Sequence, residues 1–215
     1  MSFDGAGERE VEMLRQAILG CRLCRDRPLG GEERRLPHEP RPVVQMSAKA
    51  RILIAGQAPG KRVHETGIPF NDPSGERLRD WLGVDRQAFY DPARFAIIPM
   101  GFCFPGYDSK GYDLPPRREC APHWRARVMA LLPQVELVIA IGQHAQKYHL
   151  GKRAKAAMTQ TVQHWRHYLE PMEGGPPVLP LPHPSWRNSG WLKRHPWFEA
   201  ELLPVLKKEV DRLGT

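Results

Sequence analysis

Two stretches of the chain carry most of its reactive side chains. The first, GQAPGKRVHETGIPFND, holds Gln57, His64, Glu65, Asn71 and Asp72, with an aromatic ring at Phe70. Gly56, Pro59 and Gly60 let the backbone approach a ligand closely and leave N–H groups exposed. A carboxamide, an imidazole and a carboxylate on one loop are groups that can orient a water or move a proton. Phe70 could be a stacking platform for a planar ligand, and core packing is the plainer alternative. The second stretch, HPSWRNSGWLKR, offers His183, Ser185, Trp186, Arg187 and Asn188, then Lys193 and Arg194. An imidazole followed by a basic, aromatic turn can stabilise a developing anion while the turn grips a phosphate backbone. A single histidine is more often structural than catalytic; its neighbours here favour chemistry.

A third set is the four cysteines, Cys21, Cys24, Cys103 and Cys120. The first two form a C-x2-C pair, and the others flank a loop rich in Gly, Pro and Tyr. One tight pair plus two distant thiols suits a single metal centre, either a tetrahedral zinc or a [4Fe-4S] cluster. Four buried thiols are the alternative.

These residues need elements to hold them. Arg51 to Gln57 reads as a buried strand that delivers the first loop, and Ser74 to Leu82 as the helix after it. Asp72 or Ser74 is the expected N-cap. Further strands are expected at Phe95 to Met100, Val135 to Ile141 and Val178 to Pro182, the last weakened by its prolines. Helices are expected at Glu8 to Leu23, Ala121 to Leu132, Gln143 to Leu150, Lys152 to Leu169 and Trp197 to Leu213. Arg25 to Ala48 lacks periodicity and reads as a long surface connection. Four short strands separated by helices predict an α/β fold with a parallel sheet, its sites on the loops that leave the strands. At 215 residues, one domain spanning 1–215 is expected.

The formal net charge is +8. Such a balance favours nucleic acid as partner, although a solubilising surface explains it equally well. No apolar run approaches the roughly 20 residues of a membrane helix. The first residues are acidic and polar rather than signal-like, so the expected location is the cytosol.

The pairing of GQAPGKRVHETGIPF with HPSWRNSG resembles the uracil-DNA glycosylase superfamily, and the four cysteines make the chain most similar to its iron–sulfur branch. The likeness runs from Cys21 to the last helix. It implies a three-layer α/β/α sandwich with a four-stranded parallel sheet. It also implies an enzyme that hydrolyses the N-glycosidic bond of uracil in single- or double-stranded DNA, acting as a monomer without a membrane. By this resemblance Cys21, Cys24, Cys103 and Cys120 match the ligands of a [4Fe-4S] cluster, zinc being the alternative. Phe70 matches the ring that stacks on the flipped base, and His183 the donor to its O2. Ser185 matches a phosphate contact, while Trp186, Arg187 and Asn188 belong to the turn that probes DNA.

The chain also departs from the family pattern. Gln57 stands where the iron–sulfur branch has an acid, and Ala58 where the best-studied branch has an aspartate, so the water-steering carboxylate is missing from both places. Gln57 is then expected to orient the water, with His64 or Glu65 as base. No asparagine stands just before Cys103, where Pro99, Met100, Gly101 and Phe102 are found, so Asn71 or main chain at Gly56, Ala58 and Gly101 would read the base. Gly60 replaces a bulky ring that excludes thymine in some members. Three rival functions follow. They are a uracil-DNA binding protein with weak turnover, a glycosylase for hypoxanthine or xanthine, and a zinc-stabilised RNA- or protein-binding module.

Overall fold

The computed structural model describes residues 3–171 and 175–214. Four strands, β1 (Ile52–Ala55), β2 (Phe95–Ile97), β3 (Leu137–Ile141) and β4 (Val178–Leu181), form one sheet in the order β2-β1-β3-β4. Every pairing is parallel, with Ile52 opposite Phe95 and Leu137, and Val138 opposite Val178. The strands are fully buried on both faces, which is why they read as unbroken apolar runs. Pro180 is tolerated because β4 is an edge strand.

Side chains leave the sheet alternately, so two cores form. Ile52, Ile54, Ile139 and Leu179 point to one, with Leu78 and Trp81 from the helix Pro73–Leu82 and Phe198, Leu206 and Val210 from the C-terminal helix. Leu53, Ala55, Val138 and Ala140 point to the other, with Val11, Leu14 and Ile18 from the helix Phe3–Leu19 and Trp124 and Val128 from the helix Cys120–Ala130. The result is a three-layer α/β/α sandwich.

The expected elements are present, with three differences of physical interest. The stretch Arg25 to Ala48 is not a surface connection: Leu36, Val43 and Met46 are buried. Gln45 also pairs antiparallel with Ile97, capping the edge of β2. The segment packs as irregular, proline-rich chain with no long helix or strand, so no period announces it. The expected helix Lys152 to Leu169 is broken into the short turns Gly151–Arg153, Met158–Gln163 and Trp165–Tyr168. The Thr161 hydroxyl donates to the Ala157 carbonyl and accepts from the Lys155 N–H, competing with helical bonds. The last helix opens with a π turn, Phe198–Leu202, before Leu203–Leu213. Pro204 has no N–H for the regular ladder, and the wider turn absorbs its ring.

The chain leaves β1 toward β2 on one side, and β3 continues to β4 on the other. The order therefore reverses between β1 and β3, where an open α/β sheet forms a crevice at its carboxyl edge.

Candidate functional site

A cleft of about 560 Å³ opens at that reversal point, within the size range of small-ligand sites. Its floor is Gly56, Gln57 and Ala58 after β1 and Gly142 after β3; its walls include Phe70, His183, Ser185, Trp186 and Arg187. The two sequence stretches thus meet, although Phe70 and His183 are 113 positions apart.

Phe70 is the only described residue besides glycine with a positive φ, 52°. A left-handed backbone costs an L-residue about 1–2 kcal/mol, and such outliers gather where geometry is functionally constrained. The helix that follows enforces this conformation. Asp72 caps it by accepting from the Gly75 N–H at 2.9 Å. Gly75 presses so close to Phe70 that a Cβ there would stand 1.8 Å from the Phe70 carbonyl oxygen. The ring is half-buried, edge-on to Phe89 and lying over Gly56, where a Cβ would be 3.5 Å from its Cζ. It both packs against the core and lines the cleft.

His183 follows β4. Burial pushes its imidazole below the ordinary histidine range, while Asp72 and Asp113 pull it back in part. The ring is therefore neutral near pH 7. Its turn is fixed from two sides: Asn188 donates to the His183 carbonyl at 2.7 Å, and Arg77 donates to the Ser185 carbonyl at 3.0 Å. Asn188 thus serves the turn itself. Trp186 projects from the rim, 72% exposed. The Arg187 guanidinium lies over the Tyr112 ring at 4.8 Å.

The Gln57 amide donates to the Leu114 carbonyl at 3.3 Å. Main-chain bonds from Met100 to Gly56 and from Gly101 to Gln57 bind the loops after β1 and β2 together. Gly101 lies beneath this seam rather than in the cleft lining, and a Cβ there would meet Pro116. His64 and Glu65 sit on the short helix Lys61–Thr66, whose Val63 lines the cleft. Neighbouring helical positions diverge by about 100°. His64 accordingly packs with His38 and Phe104, and Glu65 is exposed, 3.9 Å from Lys61. Asn71 accepts from Arg86 at 3.3 Å outside the lining. The loop after β2, expected from the sequence to carry part of a site, brings Tyr107, Tyr112 and Asp113 to the cleft, none of which the sequence singled out. The abundance of Gly and Tyr there was visible, but not its reach across the molecule.

The cysteines occupy a second cavity behind this wall. Cys21, Cys24, Cys103 and Cys120, none in a disulfide, line it with Leu36 and Trp124. Burial pushes the Cys24 thiol up to about 11 and Cys103 up to about 12, and raises Cys120 as well. Two sulfurs accept N–H donors at 3.3 Å, Cys21 from the Trp124 indole and Cys120 from the Phe102 main chain. Among the described residues no group of three or more His, Cys, Asp or Glu is placed to hold a metal ion. The four thiols ring a largely apolar cavity. The segment Arg25 to Ala48 acts as its lid, contributing Leu36, Pro40 and Pro42. Arg125, buried beside His149, donates to the Ile98 carbonyl at 2.6 Å and braces the strand end that leads to Cys103.

The family model of the uracil DNA glycosylase superfamily matches residues 43–207. The chain is 30% identical to a type-5 uracil-DNA glycosylase of Thermus thermophilus, over 86% of this chain and 92% of that protein. It is 22% identical to a type-4 uracil-DNA glycosylase of Sulfurisphaera tokodaii, over 81% of this chain and 74% of that protein.

Proposed function

The chain belongs to the uracil DNA glycosylase superfamily, and we propose that it hydrolyses the N-glycosidic bond of uracil in DNA, leaving an abasic site. The observation that carries this reading is the meeting of Phe70 and His183 in one cleft at the sheet's reversal point. A base reaches such a cleft only by leaving its stack, at a cost of a few kcal/mol that is smallest for single strands and mismatches. Stacking on Phe70 offsets part of that cost. As the C1′–N1 bond breaks, negative charge grows on O2 of the base. A neutral His183 aimed there donates a hydrogen bond that strengthens in the transition state. Gln57 lies on the floor beneath the sugar's expected position and helps hold the attacking water. Ser185, Trp186 and Arg187 form the rim that meets the DNA backbone and the gap left by the extruded base, with a single chain acting as a monomer.

In this reading Cys21, Cys24, Cys103 and Cys120 hold a [4Fe-4S] cluster. The cluster would supply cohesion rather than reactivity, tying the first helix to the loop after β2 and to the helix Cys120–Ala130. Cys103→Ser is expected to lose the cluster and lower the melting temperature. Protein purified anaerobically should be brown, with about four irons per chain; colourless protein holding zinc would replace the cluster with the other metal.

Incubating the chain with a labelled oligonucleotide bearing one uracil tests the activity. Free uracil and an alkali-labile abasic site are expected. Tight binding without an abasic product would instead support a uracil-DNA binding protein. The absence of a carboxylate at Gln57 and Ala58 is the observation that favours that second reading.

A further inference from the structure

We infer that Asp113 is the catalytic carboxylate, orienting the attacking water and taking its proton from across the cleft. This rests on the glycosylase reading and completes the same site. The loop after β1 supplies no acid at Gln57 or Ala58, yet the reaction needs a group that holds water against C1′. Asp113 lines the same cleft as Gln57, Phe70 and His183. It reaches over the first loop, where a Cβ on Gly60 would be 3.9 Å from its Oδ2.

The residue is held in place by its backbone. Tyr107 and Asp113 pair antiparallel, Leu114 N–H donates to Gly106 at 2.9 Å, and the Leu114 carbonyl takes the Gln57 amide. Asp108 tightens the hairpin tip by accepting from the Lys110 and Tyr112 N–H groups. The Asp113 side chain itself is uncommitted: among the described residues its carboxylate forms no hydrogen bond and no ion pair. The other acid in the cleft, Asp72, is already engaged as a helix cap. One of the two Gln57 amide hydrogens goes to the Leu114 carbonyl, which leaves the other hydrogen and the side-chain oxygen free to share a water with Asp113.

The charges around Asp113 suit the role. Arg187 and His183 face it from the turn after β4, Asp72 from the start of the helix Pro73–Leu82, and Tyr107 and Tyr112 from its own hairpin. Burial raises its proton affinity and Asp72 adds to this, while Arg187 and His183 oppose them; the net position is above the ordinary carboxylate value. A base gains strength as its pKa rises toward the working pH. Asp113 as a whole residue is exposed in the free chain, so the cleft shields its carboxylate only in part, and bound DNA would deepen that shielding. In the step itself, the water oxygen bonds to C1′ as the C1′–N1 bond breaks and its electron pair leaves on the base. The water's proton passes to Asp113 and then to solvent, and the released uracil anion takes a proton from solvent.

The test measures single-turnover uracil release from pH 5 to 9 by the full chain and by Asp113→Asn, Asp113→Glu and Gln57→Ala. Binding to an oligonucleotide carrying non-cleavable 2′-fluoro-2′-deoxyuridine is measured alongside. Asp113→Asn should be slower by roughly 10²–10³-fold with binding nearly unchanged, and should lose the acid limb of the pH profile. Asp113→Glu should restore part of the rate and that limb. A wild type that releases uracil beside an Asp113→Asn protein of equal rate would overturn the assignment alone. So would a variant whose rate falls only as its binding falls, with the acid limb intact. A wild type that releases no uracil would overturn the glycosylase reading, and this assignment with it.

Discussion

His183 and Phe70 show how little of a side chain's role lies in its identity. An imidazole in water titrates near pH 6.5; in this cleft burial holds His183 below that value. A neutral donor is what a uracil anion requires, because a cation would also attract the phosphate backbone without discriminating the transition state. The expected NMR titration of His183 has its midpoint below 6.5, so protonation, and loss of any stability that depends on the neutral ring, begins only as pH falls beneath the unfolded value. A midpoint at or above 6.5 would contradict this. That both would line one cleft was legible in the sequence, since each sits in a compact polar motif that follows a strand. The position of Asp113 was not. It lies in a hairpin without alternation or charge pattern, and only the fold brings it opposite His183. His64 and Glu65 looked equally catalytic in the sequence, but the short helix Lys61–Thr66 turns them away from the cleft that Val63 lines. Such a short helix, flanked by glycines, leaves no periodic signal.

At the scale of the element, the helix Pro73–Leu82 does more than cover the sheet. Its cap at Asp72 and its close approach at Gly75 fix the strained backbone of Phe70. Gly75→Ala must displace either the helix start or the Phe70 carbonyl. We expect it to destabilise the fold by roughly 1–3 kcal/mol, as overpacking does, and to lower uracil release further than the stability loss explains. A denaturant melt together with a rate measurement on the folded fraction checks both; an unchanged rate would show that Phe70 needs no such bracing. The strands, the main helices and the cap were readable from apolar runs and capping residues. The lid over the cysteines was not, because Leu36, Val43 and Met46 are buried from a proline-rich segment that forms no strand and no helix longer than about one turn. The C-x2-C pair nevertheless pointed to that cavity, since thiols so close in sequence stay close in any fold.

The whole molecule joins two cavities through one wall. The loop after β2 runs from the floor of the cleft, where Met100 and Gly101 bond to Gly56 and Gln57, directly to Cys103 at the second cavity. Replacing these cysteines should therefore loosen the cleft without touching it. Parallel topology puts the reversal of strand order between β1 and β3, so distant motifs converge there; the strand count and alternation in the sequence were enough to foresee that convergence, though not its partners. The net charge of +8 provides long-range attraction to DNA and makes binding salt-dependent, but gives no base selectivity. In the proposed reading, selectivity is the work of the space between the Phe70 ring and the His183 imidazole. The most direct test is single-turnover uracil release by wild type, Phe70→Ala and His183→Ala, with folding checked by circular dichroism. His183→Ala should be slower by roughly 10²–10³-fold, the loss seen when one donor to a developing anion is removed. Phe70→Ala should lose about 1–3 kcal/mol of base stacking, so that half-saturation needs more DNA. If both folded variants release uracil as fast and bind as tightly as the wild type, the cleft described here does not hold the base.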